Sequence, residues 1–414
     1  MNKAKPAVCA SAVLIAALLA TACGPSPRAP EATTLRARTP LVKTFGEFLT
    51  AAEVGSTSRQ QWTAIARRDA VVVLNSWDYR LVTILKHANP KVQVWVYKDL
   101  SGIRSDDCAT ATGACGSCPR GIVDSEFLSS GLGFCWVKRH HPDWFLRAVS
   151  SGQPFEFKGY PATWEADYGN RTYQRQWVRN VLSDVRQHGW DGVKVDNALT
   201  TDAYGQAIKY PADAAVQRAT YSALREVGPA LHRARVASVF NVGYALQFPR
   251  LWTRWLAAVD GLQQEYYLSF STQPSAVGAA WAAYEQEISA CVADRKSCWF
   301  HSGSYSSKVS SRTRYYALTS FLLDTDGRQL LAVGNPRSIP PTECSGPGSP
   351  VSSAAREPSG LWLRSFKRGV VAVNATSSRT WISLGGRHFD SGPRIALQSA
   401  SGTVIGATDL RGCP

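Results

Sequence analysis

Asp191-Gly-Val-Lys-Val-Asp196 and Asp260-Gly-Leu-Gln-Gln-Glu265 follow one pattern, an Asp-Gly start and then a strand-like run ending in a carboxylate. Side chains alternate along a strand, so Lys194 and Asp196 share one face, as do Gln263 and Glu265. Val193 and Val195 take the opposite face of the first stretch. Asn197 follows the first carboxylate and Tyr266-Tyr267 the second. Two acids at the ends of two strands fit a parallel α/β fold whose C-terminal edge carries the chemistry.

Working outward, strand-like runs alternate with helix-like ones. Eight strand candidates emerge: Ala70 to Trp77, Val92 to Asp99, Trp164 to Gly169, Gly192 to Ala198, Val236 to Gly243, Gly261 to Leu268, Ser297 to Gly303 and Gln329 to Asn335. Tyr173, Trp177, Val178, Val181, Leu182 and Val185 fall on one helical face, with Asn170 as the cap and Gly189 as the stop. Val277, Trp281, Tyr284, Ile288 and Cys291 repeat the device, as do Tyr315, Leu318, Thr319, Leu322 and Leu323. The expected fold is α/β, a (β/α)8 TIM barrel over residues 41–337. An open doubly wound sheet would place a Gly-rich phosphate loop after its first strand. Asn75-Ser-Trp-Asp-Tyr79 stands there instead, without glycine.

Residues 338–359, dense in Pro, Ser and Gly, read as a linker. Short strand-like pieces at Leu361 to Arg364, Val370 to Asn374, Thr380 to Leu384 and Arg394 to Leu397 then predict a small C-terminal antiparallel β module over 360–414. At the other end, Lys3 and Lys5 precede an apolar run from Val8 to Ala20, too short for a comfortable membrane span. Ala20-Thr21-Ala22-Cys23 closes what reads as an export signal over 1–22. Cys23 after three small residues resembles a lipobox, so a lipid anchor to the bacterial membrane is expected at Cys23, with 23–40 as a flexible tether. Ordinary secretion is the alternative.

Eight cysteines follow the signal, an even number in an exported chain, and disulfides are the natural inference. Spacing suggests Cys291 with Cys298, a loop stapled by Cys108, Cys115, Cys118 and Cys135, and Cys344 with Cys413. Cys115-Gly-Ser-Cys118 has neither a thioredoxin pattern around it nor a second CxxC, which argues against redox or zinc chemistry. His140-His141 and His301 show no metal-ligand spacing, so no metal and no cofactor are expected. The formal charge of +15 would suit an anionic glycan or the cell envelope. The basic residues are dispersed, however, and no nucleic-acid module is present, so nucleic acid is not an expected partner.

Hydrolysis of a glycosidic bond needs one carboxyl group to protonate the leaving oxygen and another to attack the anomeric carbon or activate water. Asp196 and Glu265 are the expected catalytic pair. Lys194 would favour the ionised form of Asp196, as a nucleophile needs, and the tyrosines after Glu265 would raise its pKa, as an acid needs. The competing reading makes both ordinary carboxylates that satisfy loop backbones. Asp99, Asp167, Lys194 and Asn197 are candidate sugar-binding residues, although Asp167 would serve equally as a helix cap. Trp77, Tyr97, Trp164, Tyr244 and Tyr305 lie at or just after strand ends, where they would stack on sugar rings or belong to the core.

Phe157-Lys-Gly-Tyr-Pro161, Trp164-Glu-Ala-Asp-Tyr-Gly-Asn-Arg-Thr-Tyr-Gln-Arg-Gln-Trp177 and Gly189-Trp-Asp-Gly-Val-Lys-Val-Asp-Asn197 resemble the glycoside-hydrolase-like family 15 group of bacterial proteins. These are glycosidase-like barrels, distantly similar to the endo-α-1,4-polygalactosaminidases. The resemblance runs from about Val71 to Asn335 and continues weakly into Leu361 to Leu397. It implies a (β/α)8 fold with Asp196 in the active site and Glu265 as its partner. The loop from Cys108 to Cys135 looks like an elaboration on that pattern, so the substrate does not carry over.

An exported glycoside hydrolase acting on a polysaccharide or oligosaccharide is therefore the first expectation. A non-catalytic glycan-binding lipoprotein on the same scaffold is the second, since fold does not fix function. A polysaccharide deacetylase is weaker still, because it would want a metal held by His and Asp.

Overall fold

The computed structural model describes residues 42–106, 128–202, 207–274, 276–305, 308–336, 347–382 and 395–405. The signal, the tether and Cys23 lie outside these residues, as do Cys108, Cys115, Cys118, Cys344 and Cys413. Among the described residues no helix is long and apolar enough to cross a membrane.

Eight parallel strands close into a barrel: β1 (Lys43–Phe48), β2 (Val71–Leu74), β3 (Gln93–Asp99), β4 (Gly192–Ala198), β5 (Ala237–Val242), β6 (Gly261–Gln264), β7 (Trp299–Ser302) and β8 (Leu330–Val333). Each pairs with its neighbours in sequence, and β8 closes the ring on β1 through Lys43↔Leu330 and Thr44↔Leu331. Seven strands coincide with sequence candidates; the third candidate does not. Thr163–Glu165 pairs antiparallel with Gly102–Arg104, away from the barrel. The missing strand is β1, which lies between β2 and β8. Its sequence, Lys-Thr-Phe-Gly-Glu-Phe, interrupts an apolar run with polar residues and glycine, so composition alone does not mark it.

The two Asp-Gly starts have a clear packing logic. Asp191 Oδ2 accepts from the Val94 amide at 2.7 Å, and Asp260 Oδ2 accepts from the Ser238 amide at 3.2 Å. Each aspartate thus locks its strand onto the preceding one. The glycines make room: a Cβ on Gly192 would come within 2.5 Å of the Trp95 ring, and one on Gly261 within 2.2 Å of the Ser297 carbonyl. Trp299 fills the space, with its ring centroid 4.9 Å from Phe45 and 4.8 Å from Trp95. Val71, Val239 and Leu330 complete this dry barrel floor.

Helices surround the barrel: α1 (Arg59–Arg68), α2 (Arg80–Ala88), α3 (Arg171–His188), α4 (Asp213–Arg233), α5 (Pro249–Leu256), α6 (Gly278–Ala293) and α7 (Ser311–Asp324). The α3 stripe is as expected: Tyr173, Trp177, Val178, Val181 and Val185 are buried, Asn170 Oδ1 caps the Thr172 amide at 2.9 Å, and Gly189 ends the helix at φ 71°. The Cys291–Cys298 disulfide ties the end of α6 to the start of β7. Cys135 is also disulfide-bonded.

Helix α7 is buried nearly all round, including Thr313, Tyr316, Thr319, Phe321 and Leu323. A second layer covers its outer side. Four antiparallel strands, Ala355–Arg356, Trp362–Phe366, Gly369–Asn374 and Ser401–Ile405, form one sheet, and Thr380–Ile382 pairs with Ile395–Leu397. Arg364 of this module donates to the Leu322 carbonyl at 2.8 Å. Ala355–Arg356 falls within the stretch read from sequence as linker, and the barrel and module lie in one compact unit, Pro40–Pro414.

Candidate active site

Inward-facing side chains stack in layers above the barrel floor. Glu47 (β1), Tyr97 (β3), Lys194 (β4), Asn241 (β5), Gln263 (β6) and His301 (β7) succeed the hydrophobic layer, because each lies two residues beyond an inward residue of its strand. Asp99, Asp196 and Glu265 come one step higher, at the C-terminal mouth.

Asp196 sits where β4 departs from regularity. Val195 pairs with Phe240 but Ala198 with Val242, so three residues of β4 match two of β5. Asn197 takes up the extra residue in the left-handed region, at φ 57°. Such bulges re-aim side chains at active sites, and Asn tolerates this conformation better than most residues. The Asp196 carboxylate accepts from Tyr97 Oη at 2.7 Å and Asn241 Nδ2 at 2.8 Å, and Lys194 Nζ lies 3.2 Å away. Burial pulls its pKa up, but the Lys194 charge and these hydrogen bonds outweigh that and hold it below the usual carboxylate value. Its side chain keeps 19% exposure, so a ligand in the mouth can reach it.

Glu265 has fewer supporters. Asn241 Nδ2 donates to its Oε2 at 2.8 Å, while burial and the Asp196 charge push its pKa up to about 7 against the opposing pull of Lys194. One amide nitrogen therefore touches both carboxyl groups. Twice 2.8 Å, or 5.6 Å, is the most that can separate Asp196 Oδ1 from Glu265 Oε2.

Lys194 is enclosed. Its ammonium lies 3.6 Å from Glu47 Oε2 and 4.9 Å from the centroid of the Tyr97 ring. Burial works against its charge, but Asp196, Glu47 and Glu265 outweigh the burial and raise its pKa. Glu47 in turn accepts from Gln263 Nε2 at 2.7 Å, and burial raises its pKa in spite of Lys194. Behind Glu265, the His301 ring nitrogens lie 3.3 Å from the Glu265 carbonyl and 3.2 Å from the Gly334 carbonyl. Burial draws this imidazole down to about 4, and in its neutral form it donates to one of the two carbonyls. Its ring stacks on Tyr305 with centroids 3.6 Å apart.

The remaining expected residues divide. Asn197 Nδ2 donates to Asp99 Oδ2 at 2.8 Å, and Asp99 Oδ1 accepts the Ser101 and Gly102 amides at 3.0 and 2.8 Å. Asp99 is thus a turn anchor beside the pair, with burial and the Asp196 charge lifting its carboxyl to about 7. Asp167 is taken up by Lys209 and Tyr210, away from the carboxylate pair's own contacts. Trp164 packs on Phe134 and Phe145 and donates to Ser105 Oγ at 3.2 Å. Tyr97 and Tyr305 serve the inner layer rather than a stacking surface, whereas Trp77 and Tyr244 are exposed. No group of three or more His, Cys, Asp or Glu side chains among the described residues is arranged to hold a metal.

Sequence reasoning missed Glu47, because β1 went unrecognised, and Asn241, because its place on the inner face of β5 was not read. The alternation rule applied to Ser238-Val239-Phe240-Asn241 would have put Asn241 inside with Val239.

A (β/α)8 barrel with paired carboxyl groups at its C-terminal mouth defines a class, the glycoside-hydrolase-like barrels. Within it, the chain belongs to hypothetical glycosyl hydrolase family 15, whose model matches residues 86–370, more than half of the sequence. No curated protein matches. Among solved structures, the glycoside hydrolase domain of PelA from Pseudomonas aeruginosa is 12% identical, with a TM-score of 0.43 over 71% of this chain and 95% of that one. An Anoxybacillus alpha-amylase is 9% identical, with a TM-score of 0.48 over 89% and 98%. Aspergillus fumigatus Ega3, in a complex with galactosamine, is 9% identical, with a TM-score of 0.40 over 74% and 97%.

Proposed function

We propose that this chain is an exported glycoside hydrolase that cleaves a polysaccharide with retention of configuration, Asp196 being the nucleophile and Glu265 the acid–base. The observation that carries the reading is the Asn241 amide, which donates to both carboxyl groups at 2.8 Å. The facing oxygens thus lie no more than 5.6 Å apart, a closeness compatible with the roughly 5–5.5 Å between the carboxyl groups of a double displacement. An inverting enzyme leaves room for water with a gap of about 6.5–9.5 Å.

The two groups have the protonation states that each step needs. Ionised Asp196 attacks the anomeric carbon as Glu265 gives its proton to the departing oxygen, which leaves a glycosyl ester on Asp196. Glu265, now a carboxylate, takes a proton from water. That water attacks the same carbon, and Asp196 leaves as a carboxylate. Asn241 and Tyr97 hold Asp196 by hydrogen bonds, and Lys194 disfavours its protonation. Export and anchoring rest on the N-terminal sequence, with Cys23 as the lipid-bearing residue. Loss of fatty-acid labelling in Cys23→Ser would support the anchor, and unchanged labelling would remove it.

The deciding experiment is a polysaccharide array read for reducing-end release, with wild type beside Asp196→Asn. Release by the wild type alone supports the reading, and NMR of the first-formed anomer then tests retention. Binding by both without release would favour the glycan-binding alternative.

A further inference from the structure

Four aromatic side chains stand on the Glu265 side of the mouth and take no part in the steps above. Tyr244 follows β5, Tyr266 follows Glu265 directly, Phe270 lies further along the same loop, and Tyr160 belongs to the long segment between β3 and α3. Tyr266 and Phe270 meet edge to face, with centroids 4.6 Å apart. Tyr160 and Tyr266 lie within electrostatic reach of Tyr244 and of both carboxyl groups, and Glu265 acts on each more strongly than Asp196 does. Tyr266, adjacent to Glu265 in the chain, and Phe270, in contact with Tyr266, put this face of the cluster beside the acid.

Its surface is open. Tyr160 is 56% exposed, Tyr244 46% and Phe270 69%. Neighbouring large apolar groups left in water mark a binding surface more often than scattered ones do. The backbone beneath them is also costly. Tyr244 sits at φ 56°, Leu268 in the Tyr266–Phe270 loop at φ 58°, and Ala162 just after Tyr160 at φ 65°. Non-glycine residues hold such conformations only where their surroundings over-determine them, and such sites cluster at ligand clamps. Aromatic rings, with a few polar groups to orient the ligand, are the usual lining of such clefts.

We propose that Tyr160, Tyr244, Tyr266 and Phe270 form the subsite for the sugar on the leaving side of the scissile bond. This rests on the glycosidase reading: the proton from Glu265 goes to the leaving oxygen, so the departing sugar lies on the Glu265 side. A leaving group that needs its own aromatic bed is a sugar of a longer chain rather than a small aglycone. The bed is built by three separate segments, from β5, from β6 and from the β3–α3 connection.

The test uses the full mature chain with tetra- to octasaccharides of amylose, cellulose, dextran, chitosan and polygalactosamine. Wild type, Glu265→Gln and the double variant Tyr160→Ala/Phe270→Ala are compared by product profile and by calorimetric titration. Both substituted aromatics are exposed, and an unchanged thermal melt confirms folding of the variant. On the glycan that the wild type cuts, the double variant should raise KM about tenfold and leave kcat within a few-fold. Glu265→Gln should bind that glycan as tightly as wild type. An unchanged KM in the double variant would overturn the subsite while leaving the glycosidase standing. Binding by wild type without cleavage, lost in the double variant, would remove the glycosidase but keep the aromatic bed as a glycan site. Failure of the wild type to bind any of these glycans would overturn the subsite outright.

Discussion

Strands β4 and β6 open alike and end differently. Both begin with an Asp-Gly that clamps the preceding strand, the glycine making room for the Trp95 ring in one case and for the Ser297 backbone in the other, and both deliver a carboxyl group to the mouth. There the surroundings diverge. Asp196 has a lysine on its own strand two residues back, a tyrosine on β3 and the Asn241 amide on β5. Glu265 has the same amide, but glutamine stands where β4 has lysine. One carboxyl group is therefore held down and the other pushed up. Two groups that end similarly patterned strands have their pKa values driven in opposite directions by their neighbours, which is the division of labour that a glycosidase needs.

The strongest break of this comparison is removal of either terminus. Asp196→Asn and Glu265→Gln should each lower kcat by about a thousandfold or more on a glycan the wild type cleaves, with melting temperature little changed. A small effect of either on activity would dissolve the pairing.

Exchanging the distinguishing residue comes next. Lys194→Met leaves Asp196 and Glu47 without their shared cation, which should destabilise the fold by roughly 3–5 kcal/mol, as for other broken buried pairs. It should also move the acid limb of the pH–rate profile upward, because Asp196 would no longer be held ionised. Chemical denaturation and a pH series on the same variant check both effects.

The wild-type profile itself should be a bell. Activity should fall above about 7 as Glu265 loses its proton, and fall below the ordinary carboxylate range as Asp196 gains one. Glu47→Gln sharpens the point. Glu47 adds to the upward push on Glu265, so its neutral substitute should shift the alkaline limb to lower pH by a fraction of a unit. An alkaline limb that does not move would exclude Glu47 from the electrostatics of the acid.

The smallest expected effect concerns the outward face of β6. Gln264 Nε2 donates to Glu287 of α6 at 3.2 and 3.0 Å, where β4 has only Val195. Burial lifts the Glu287 carboxyl from 4.5 to about 8. The folded chain then keeps a proton that the unfolded chain has lost, so this contribution to stability is full below 4.5 and declines as pH rises to about 8. Glu287→Gln should flatten the loss of melting temperature between pH 5 and 8 by a few degrees. An unaltered slope would assign that loss to other groups.

Much of the architecture was legible because it is written in short-range pattern. The Asp-Gly starts, the apolar stripe of α3 with its Asn170 and Gly189 ends, and the alternation that places Lys194 beneath Asp196 are all local. So is the spacing of Cys291 and Cys298, which the disulfide matches. These features depend on residues within one or two turns of each other, and period and propensity capture them.

The rest depends on partners far apart in sequence. Lys43–Phe48 is a strand because Phe45 meets Val71 and Lys43 meets Leu330, pairings that its own composition does not announce. Trp164 has a strand-like neighbourhood, yet its partner is the turn after Asp99, so it leaves the barrel. Tyr97 and Tyr305 are half-buried in the inner layer while Tyr160 and Phe270 are exposed, and no local rule orders aromatics that way. Local pattern suffices to put two carboxyl groups at the ends of two strands. The closed ring of strands decided how near they come and which one keeps its proton, because distance and burial are properties of the packed barrel and not of either strand alone.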